Sequence, residues 1–506
     1  MNKYLSFIAG TVWLAAGTMQ AAPVETGLVA RIHFAGANTV AADPNYAPVR
    51  NVWSSPEALA LRLQTLDKLD RFLDGWLRQQ IAPNFGNPIQ VRPLLADLCD
   101  AEWQLDLNQP SEATAEFSLA VHLNNARTQA WQTTLTPLVE AWKKTSPGHH
   151  GQLARSGDWL FFQLGNSPVP APAPAISPLK NTWLTSEVNW TRLATWFPGL
   201  RNVNLPASKL DVAGRNGKFE ITGKLSLAQP LPPLERWQFP TNLIHSPVIS
   251  VTAARGISVW LKQQPWVMSL GINPLPDEVF TWVMPQAPFQ TYAAMPLAGA
   301  AGALPRLEQV LDGDLHNGDP NSPYRAFTIT ATNDEISLAG TPWIAPYIQA
   351  KHEPSGDFLL AGLFPNIARG RPAPPEFMAR LGDPGVVYFD WENTSERLKI
   401  FPQLYQLLLV VSHHRQLDAA SAAGHWLQVL QPALGQTATE VTETSPTELA
   451  FSRQGPAGLT AFELVAFASW LEAPNFPGCD LRMPLPKPRP HKPLAPNGPL
   501  PFTLHH

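Results

Sequence analysis

The sequence predicts an α+β protein made of several divergent repeats of one unit, a strand, then a helix, then an antiparallel hairpin, assembled as antiparallel sheets with packed helices. Three observations predict it. Four pairs of alternating apolar and polar runs flank turn-forming residues. Their turn centres, near residues 111, 216, 333 and 445, lie about 105, 117 and 112 residues apart. A short β-rich run precedes each pair, usually with a helical stretch between them.

Residues 1–21 stand ahead of the first unit. Lys3, an apolar run from Tyr4 to Gly17, and Ala21 before Ala22 and Pro23 have the pattern of a secretory signal peptide. The run is shorter than the ~20 residues that span a bilayer, and no other stretch qualifies as a membrane span. Cleavage after Ala21 leaves about 485 residues, enough for two to four domains and a substantial core. The expected location is outside the cytoplasm, in the periplasm or the medium.

The first unit, 22–165, opens on the strand Leu28–Phe34. Ser55 as N-cap and Pro56 in the first turn start a helix that carries Leu59, Leu63, Leu66, Leu69, Leu73 and Trp76 on one stripe, suited to packing on a sheet. The hairpin pairs Trp103–Leu107 with Phe117–Val121. Proline density between Ser167 and Pro178 excludes a helix or a central strand, so 166–180 reads as an extended linker. The second unit, 181–285, has the strand Glu187–Trp190, and its hairpin sets Leu210 and Val212 against Phe219 and Ile221. Asn216-Gly217 between them takes positive φ at low cost.

The third unit, 286–368, is read as the strand Phe289–Tyr292 with the hairpin Phe327–Ala331 and Ile336–Leu338. The fourth, 369–473, follows the proline-rich run Arg371–Pro375. It comprises the strand Val386–Trp391, the hairpin Thr439–Glu443 with Glu448–Phe451, and a closing helix Leu459–Leu471 that is apolar around much of its circumference. From Pro474 to His506 there are ten prolines in 33 residues, which predicts an extended, mobile tail.

Charged residues make up 15% of the chain, against a usual ~25%, and the formal charge of −4 gives no field to capture nucleic acid or anionic lipid. Nucleic acid is therefore not an expected partner; an envelope component is. The only cysteines are Cys99 and Cys479. In an oxidising compartment they can form one disulfide, and a loop that long would contribute roughly 5 kcal/mol by chain entropy. The alternative is two buried thiols that never meet.

Signatures of catalysis are missing. The chain has no Gly-x-Ser-x-Gly elbow, no P-loop and no His-Glu-x-x-His, so no cofactor or metal is expected. Adjacent histidines at 149–150, 413–414 and 505–506 point to different sides of any regular element. Asp312–Asp319 resembles a calcium loop but has Asn317 where the glycine belongs and no glutamate at the twelfth position. Asp390 and Glu392 share one face if Val386–Glu392 is a strand, about 6.5–7 Å apart, a spacing usable for glycoside hydrolysis. They also suit the start of a following helix. Glu440 and Glu443 read as the wet side of a hairpin. Trp183, Trp190, Trp196, Trp237, Trp260, Trp266 and Trp282 serve as core filling or as platforms for sugars and apolar ligands.

The segments Trp237–Ile257, Pro288–Tyr292, His352–Phe364 and Val386–Glu392 resemble a group of large, uncharacterised exported bacterial proteins known only as hypothetical. The resemblance spans most of the mature chain but not its tail. It implies export and a shared fold, and it brings no functional residue with it. The leading expectation is an exported, non-catalytic binding or scaffold protein. The first alternative is an envelope carrier of a lipid or other apolar ligand. The second is a hydrolase of envelope or extracellular polysaccharide that uses Asp390 and Glu392.

Overall fold

The computed structural model describes residues 27–47, 50–80, 90–111, 114–145, 148–166, 176–196, 205–264, 267–268, 270–285, 290–316, 327–340, 344–364, 371–372, 375–400 and 417–478. The signal segment, most of the proline-rich linker, Cys479 and the rest of the tail lie outside them.

Eighteen of the strands join in one sheet, and every pairing in it is antiparallel. The first eight are β1 (Leu28–Phe34), β2 (Trp103–Ser111), β3 (Thr114–His122), β4 (His150–Ser156), β5 (Trp159–Gly165), β6 (Leu184–Val188), β7 (Ala207–Arg215) and β8 (Lys218–Ser226). Next come β9 (Ser250–Arg255), β10 (Glu278–Val283), β11 (Thr291–Pro296), β12 (Thr328–Ala331) and β13 (Glu335–Ala339). The last five are β14 (Tyr347–Glu353), β15 (Gly356–Gly362), β16 (Val386–Asn393), β17 (Gln436–Ser445) and β18 (Glu448–Gly455).

Hydrogen bonding orders one half of the sheet as β4, β5, β3, β2, β1, β6, β7, β8. The ladder continues from β8 into β18, β17, β16, β9, β10, β11, β15, β14, β13, β12. Counted outward from the β8–β18 pair, the two sides run through the same order of elements, and the second side ends in the extra hairpin β12–β13. The register agrees. Thr222 faces Ser452; on one side of that pair Gly223 faces Phe451 and Leu225 faces Leu449, while on the other Ile221 faces Arg453 and Phe219 faces Gly455.

Helices line one face of the sheet. On the first side these are α1 (Pro56–Gln80), α2 (Arg92–Asp100) and α3 (Asn125–Thr145). Leu73 and Leu77 of α1, Leu94 of α2, and Trp131, Leu135 and Leu138 of α3 pack on Leu119, Val121, Leu160 and Phe162. On the second side α4 (Ala300–His316) takes the place of α3. It sets Leu304, Leu307 and Leu311 on Ile336 and Leu359. Near the middle, α6 (Ala422–Leu430) and α7 (Ala461–Glu472) form a further core with the start of α1. Thr460 accepts from the Glu463 amide while Glu463 accepts from the Thr460 amide, a reciprocal cap that fixes where α7 begins. On the second side the opposite face is covered too, by residues 237–244 and by α5 (Pro375–Leu381), over Val251, Phe280, Trp282, Tyr292, Phe358 and Phe389.

Several expectations hold in detail. The Ser55 hydroxyl accepts from the Ala58 amide at 3.1 Å and caps α1. Asn216 and Gly217 turn β7 into β8 with φ of 52° and 70°. In the closing helix, Leu464, Val465, Ala468 and Leu471 are all buried.

Others need correction. On α1, Leu59, Leu63 and Trp76 of the expected stripe are exposed, while Leu66 is buried as expected together with Ala58 and Leu61, which lie outside that stripe. Its first half packs against α6, where small Ala58 permits close approach. Trp190 begins a short helix, Trp190–Trp196, and ends no strand.

The third unit is assembled differently from the expectation. The expected boundary at 285/286 falls between β10 and β11, which pair directly, and residue 289 lies outside the described residues. The strand that occupies the position of β1 is β9, all six of whose residues are buried. A strand covered on both faces has no alternation to read, which is why its Ser-Val-Thr-Ala-Ala-Arg run escapes a period-two search. The hairpin β12–β13 sits instead at the sheet's far edge. At the C-terminus, Phe476 falls within the expected mobile tail from Pro474 but is buried against the α1, α6 and α7 core.

Candidate functional site

An apolar cavity of about 240 Å³ lies between α4 and the sheet. Leu307, Leu311 and Leu315 project from one stripe of α4, at the four-residue spacing that puts side chains on a single helix face. Gly299, at φ +68°, leads into α4, and its amide donates to Asp357 Oδ2 at 3.0 Å. Arg306 Nη1 donates to the Leu270 carbonyl at 2.9 Å and ties the helix to the segment that carries Val267 and Leu270, a second wall of the cavity.

The floor consists of strand residues that alternation turns toward α4. On β11 these are Thr291, Ala293 and Met295; on β15, Leu359 and Ala361; on β14, Ile348. On the other side of the floor, the rings of Tyr292 and Tyr347 close over Gly362, where a Cβ would meet Tyr347 at 2.6 Å.

The register explains why the space is open. Outward from the Thr222–Ser452 pair, Phe117 of β3 occupies the place of Thr291, Leu119 that of Ala293, and Phe162 of β5 that of Ala361. Phe117 and Phe162 meet edge to face at 5.8 Å, and Trp131 on the overlying α3 is buried with its Nε1 donating to Asp97 at 2.7 Å. The equivalent positions beneath α4 hold two alanines and a threonine, and α4 itself carries no aromatic residue. Truncated side chains on a rigid sheet leave a void that relaxes only in part.

A cavity of this size exceeds the ~150 Å³ apolar void that stays dry and admits benzene, and approaches the lower end, roughly 300 Å³, of sites for drug-sized ligands. It suits one ring or a short aliphatic segment.

The carboxylates singled out in the sequence lie elsewhere on the same sheet face. Asp390 and Glu392 do share a face of β16, and both are buried. Thr252 on the neighbouring β9 donates to Asp390 Oδ1 at 2.6 Å, and the Ala461 amide at the start of α7 donates to Glu392 Oε1 at 2.6 Å. Arg397, in the helical stretch 394–400, stands 3.6 Å from Glu392 Oε2 and donates to the Ser250 hydroxyl. Burial raises both acids above their ordinary values, against the pull of Arg397. Buried beneath the start of α7, they present little surface to a sugar. Of the other pair, Glu440 faces Arg380 at 3.7 Å.

A third polar group lies on the opposite face. Arg255 and Glu278 are cross-strand neighbours on β9 and β10, and the Trp237 ring stacks 3.9 Å from the Arg255 guanidinium. Loss of water pushes Glu278 up to about 7. The Gln238 amide, donating to its Oε2 at 2.9 Å, and Arg255, whose Nε at 3.7 Å is too far for a hydrogen bond, offset only part of that burial cost.

Cys99 on α2 is a half-buried free thiol; burial raises its pKa, and nearby Arg62 acts in the opposite sense. Its candidate partner Cys479 lies outside the described residues, as do Trp266, His413-His414 and His505-His506. His149 stacks on Trp142 at 3.9 Å. Trp183 and Trp282 are buried, and Trp183, Trp190 and Trp196 donate to Asp43, Ser208 and Gln109, which places all four in the fold rather than on a binding face. Among the described residues, no three His, Cys, Asp or Glu come together as a metal site, and no helix is long and apolar enough to cross a membrane.

The cavity has only a faint signature in the sequence. The signal available was the pair of small-residue runs Tyr292-Ala-Ala-Met295 and Leu360-Ala-Gly-Leu363, which have little to pack with when they fall mid-strand. Compared with protein-family models, with curated proteins and with solved structures, the chain matches none.

Proposed function

We propose that this chain is an exported, non-catalytic binding protein that holds a small apolar molecule in the cavity under α4. One observation carries the reading: where the first side of the sheet fills its helix-covered floor with Phe117, Leu119 and Phe162, the second side has Thr291, Ala293 and Ala361 around an open space. On this reading the two sides are divergent copies of one ancestral arrangement, one kept as a packed core and the other opened for a ligand. Loss of large side chains from a core costs several kcal/mol, and such a void is retained where an occupant restores the contacts. The apolar run Tyr4–Gly17 is the ground for placing the protein outside the cytoplasm. The buried Asp390 and Glu392 support a structural role and give catalysis no opening.

The test is calorimetric titration of the detergent-free protein with ethylbenzene. One saturable site per chain, with a negative heat-capacity change from apolar burial, is expected. A titration that never saturates, or that shows no heat at any temperature, refutes the reading.

A further inference from the structure

Among the residues that line the cavity, the Thr291 and Tyr292 hydroxyls are both buried without a hydrogen-bond partner, and of the two only Thr291 stands on the sheet face turned toward α4. Thr291 lines the cavity at 6% exposure, and its Oγ1 is buried with no hydrogen-bond partner. A buried hydroxyl in that state costs free energy comparable to a lost hydrogen bond, and in the first half its place is taken by apolar Phe117. A valine would fit the same backbone and shape without the cost. Among the described residues that line the cavity, none is Asp, Glu, Lys, Arg or His. Against these described residues an ionised carboxylate or ammonium meets no counter-charge, which the low-polarity surroundings penalise heavily.

We propose that the natural occupant is an uncharged molecule with one hydrogen-bonding group, a hydroxyl or a carbonyl, which meets Thr291 Oγ1 while its hydrocarbon part fills the space beneath α4. This deepens the carrier reading and rests on it. A threonine hydroxyl both donates and accepts, so alcohols, ketones and esters all satisfy it. Carboxylate anions do not belong to the class. The apolar part sets affinity by area buried, and Thr291 sets which end goes where and which analogues are rejected.

The experiment compares three probes of similar size, ethylbenzene, benzyl alcohol and benzoate, on the wild-type protein and on Thr291→Val and Thr291→Ser. The quantity read is the ratio of the ethylbenzene and benzyl alcohol dissociation constants, because a ratio between variants cancels the difference in hydration of the free probes. The expected result is a shift of about tenfold against benzyl alcohol in Thr291→Val, no shift in Thr291→Ser, and no measurable benzoate binding. A ratio unchanged by Thr291→Val, or benzoate bound as well as benzyl alcohol, overturns the inference and leaves the cavity reading standing. Failure of ethylbenzene to bind the wild-type protein is a different failure; it removes the carrier reading and this inference with it. The serine variant guards against a general loss of structure, since a ratio that moves equally in Thr291→Ser and Thr291→Val also counts against a role for the hydroxyl.

Discussion

Ala361→Phe restores, at the centre of the cavity floor, the side chain that Phe162 supplies in the first half of the sheet. At roughly 24 cal/mol for each Å³ of enclosed void removed, filling all of the 240 Å³ would stabilise the chain by at most about 6 kcal/mol, because the space is partly open. One phenyl ring fills only part of it. Crowding against Ile348, Leu307 and Leu311 costs about 1–3 kcal/mol, so the net expectation is a gain of about 2 kcal/mol. In a chain of this length, with unfolding entropy near 2 cal/mol/K per residue, that is a rise of about 2 °C in melting temperature. Scanning calorimetry reads the rise, and titration with ethylbenzene reads the matching loss of affinity by at least about tenfold. Stability and binding must move in opposite directions because the ring and the ligand compete for one space. A variant destabilised by several kcal/mol that still binds ethylbenzene at wild-type affinity would show that the probe sits elsewhere, and would refute the reasoning.

Other outcomes follow from the same geometry. Phe162→Ala opens the packed side and should cost about 3–5 kcal/mol by loss of burial and cavity formation, measured by denaturant unfolding; a loss below about 1 kcal/mol would mean that α3 collapses onto the floor. Glu278 has its folded pKa raised from 4.5 to about 7, so the folded chain keeps a proton between those values that the unfolded chain releases. Its contribution is fully present below pH 4.5 and is lost as pH rises through 7, by up to about 3 kcal/mol, and Glu278→Gln should flatten that slope in melting curves recorded from pH 5 to 8. Glu392→Ala leaves the Ala461 amide without its acceptor and Arg397 without its nearby counter-charge, and should lower stability by about 3 kcal/mol; an unchanged melting temperature would contradict the structural role assigned to this carboxylate.

Local chemistry made much of the fold legible. Asn216-Gly217, Ser55-Pro56 and the alternation in β2, β3, β7, β8, β17 and β18 each carry their own physical signal, and the structure uses them as read. The third unit was not legible because β9, the strand that opens it, is buried on both faces and shows no alternation, while the conspicuous hairpin β12–β13 belongs to the sheet edge. The stripe on α1 misled for a related reason. Leucine spacing identifies a helix, but its burial is shared between a helix cluster at one end and the sheet at the other, so no single straight stripe describes it. Asp390 and Glu392 were placed correctly on one face, yet their burial depends on α7, which arrives from seventy residues further along the chain. The cavity was the hardest to foresee. It is defined by side chains that are smaller than their counterparts, and that contrast exists only once the register relates Ala361 to Phe162.

The central claim is that the space under α4 is a ligand site. Native mass spectrometry of the mature protein, purified from an exporting host without detergent, tests it most directly. A ligand site there gives a small neutral adduct, one per chain, which is lost on unfolding and is missing from Ala361→Phe prepared in the same way. An adduct retained unchanged by Ala361→Phe, or a bare wild-type chain that also takes up no ethylbenzene, would contradict it.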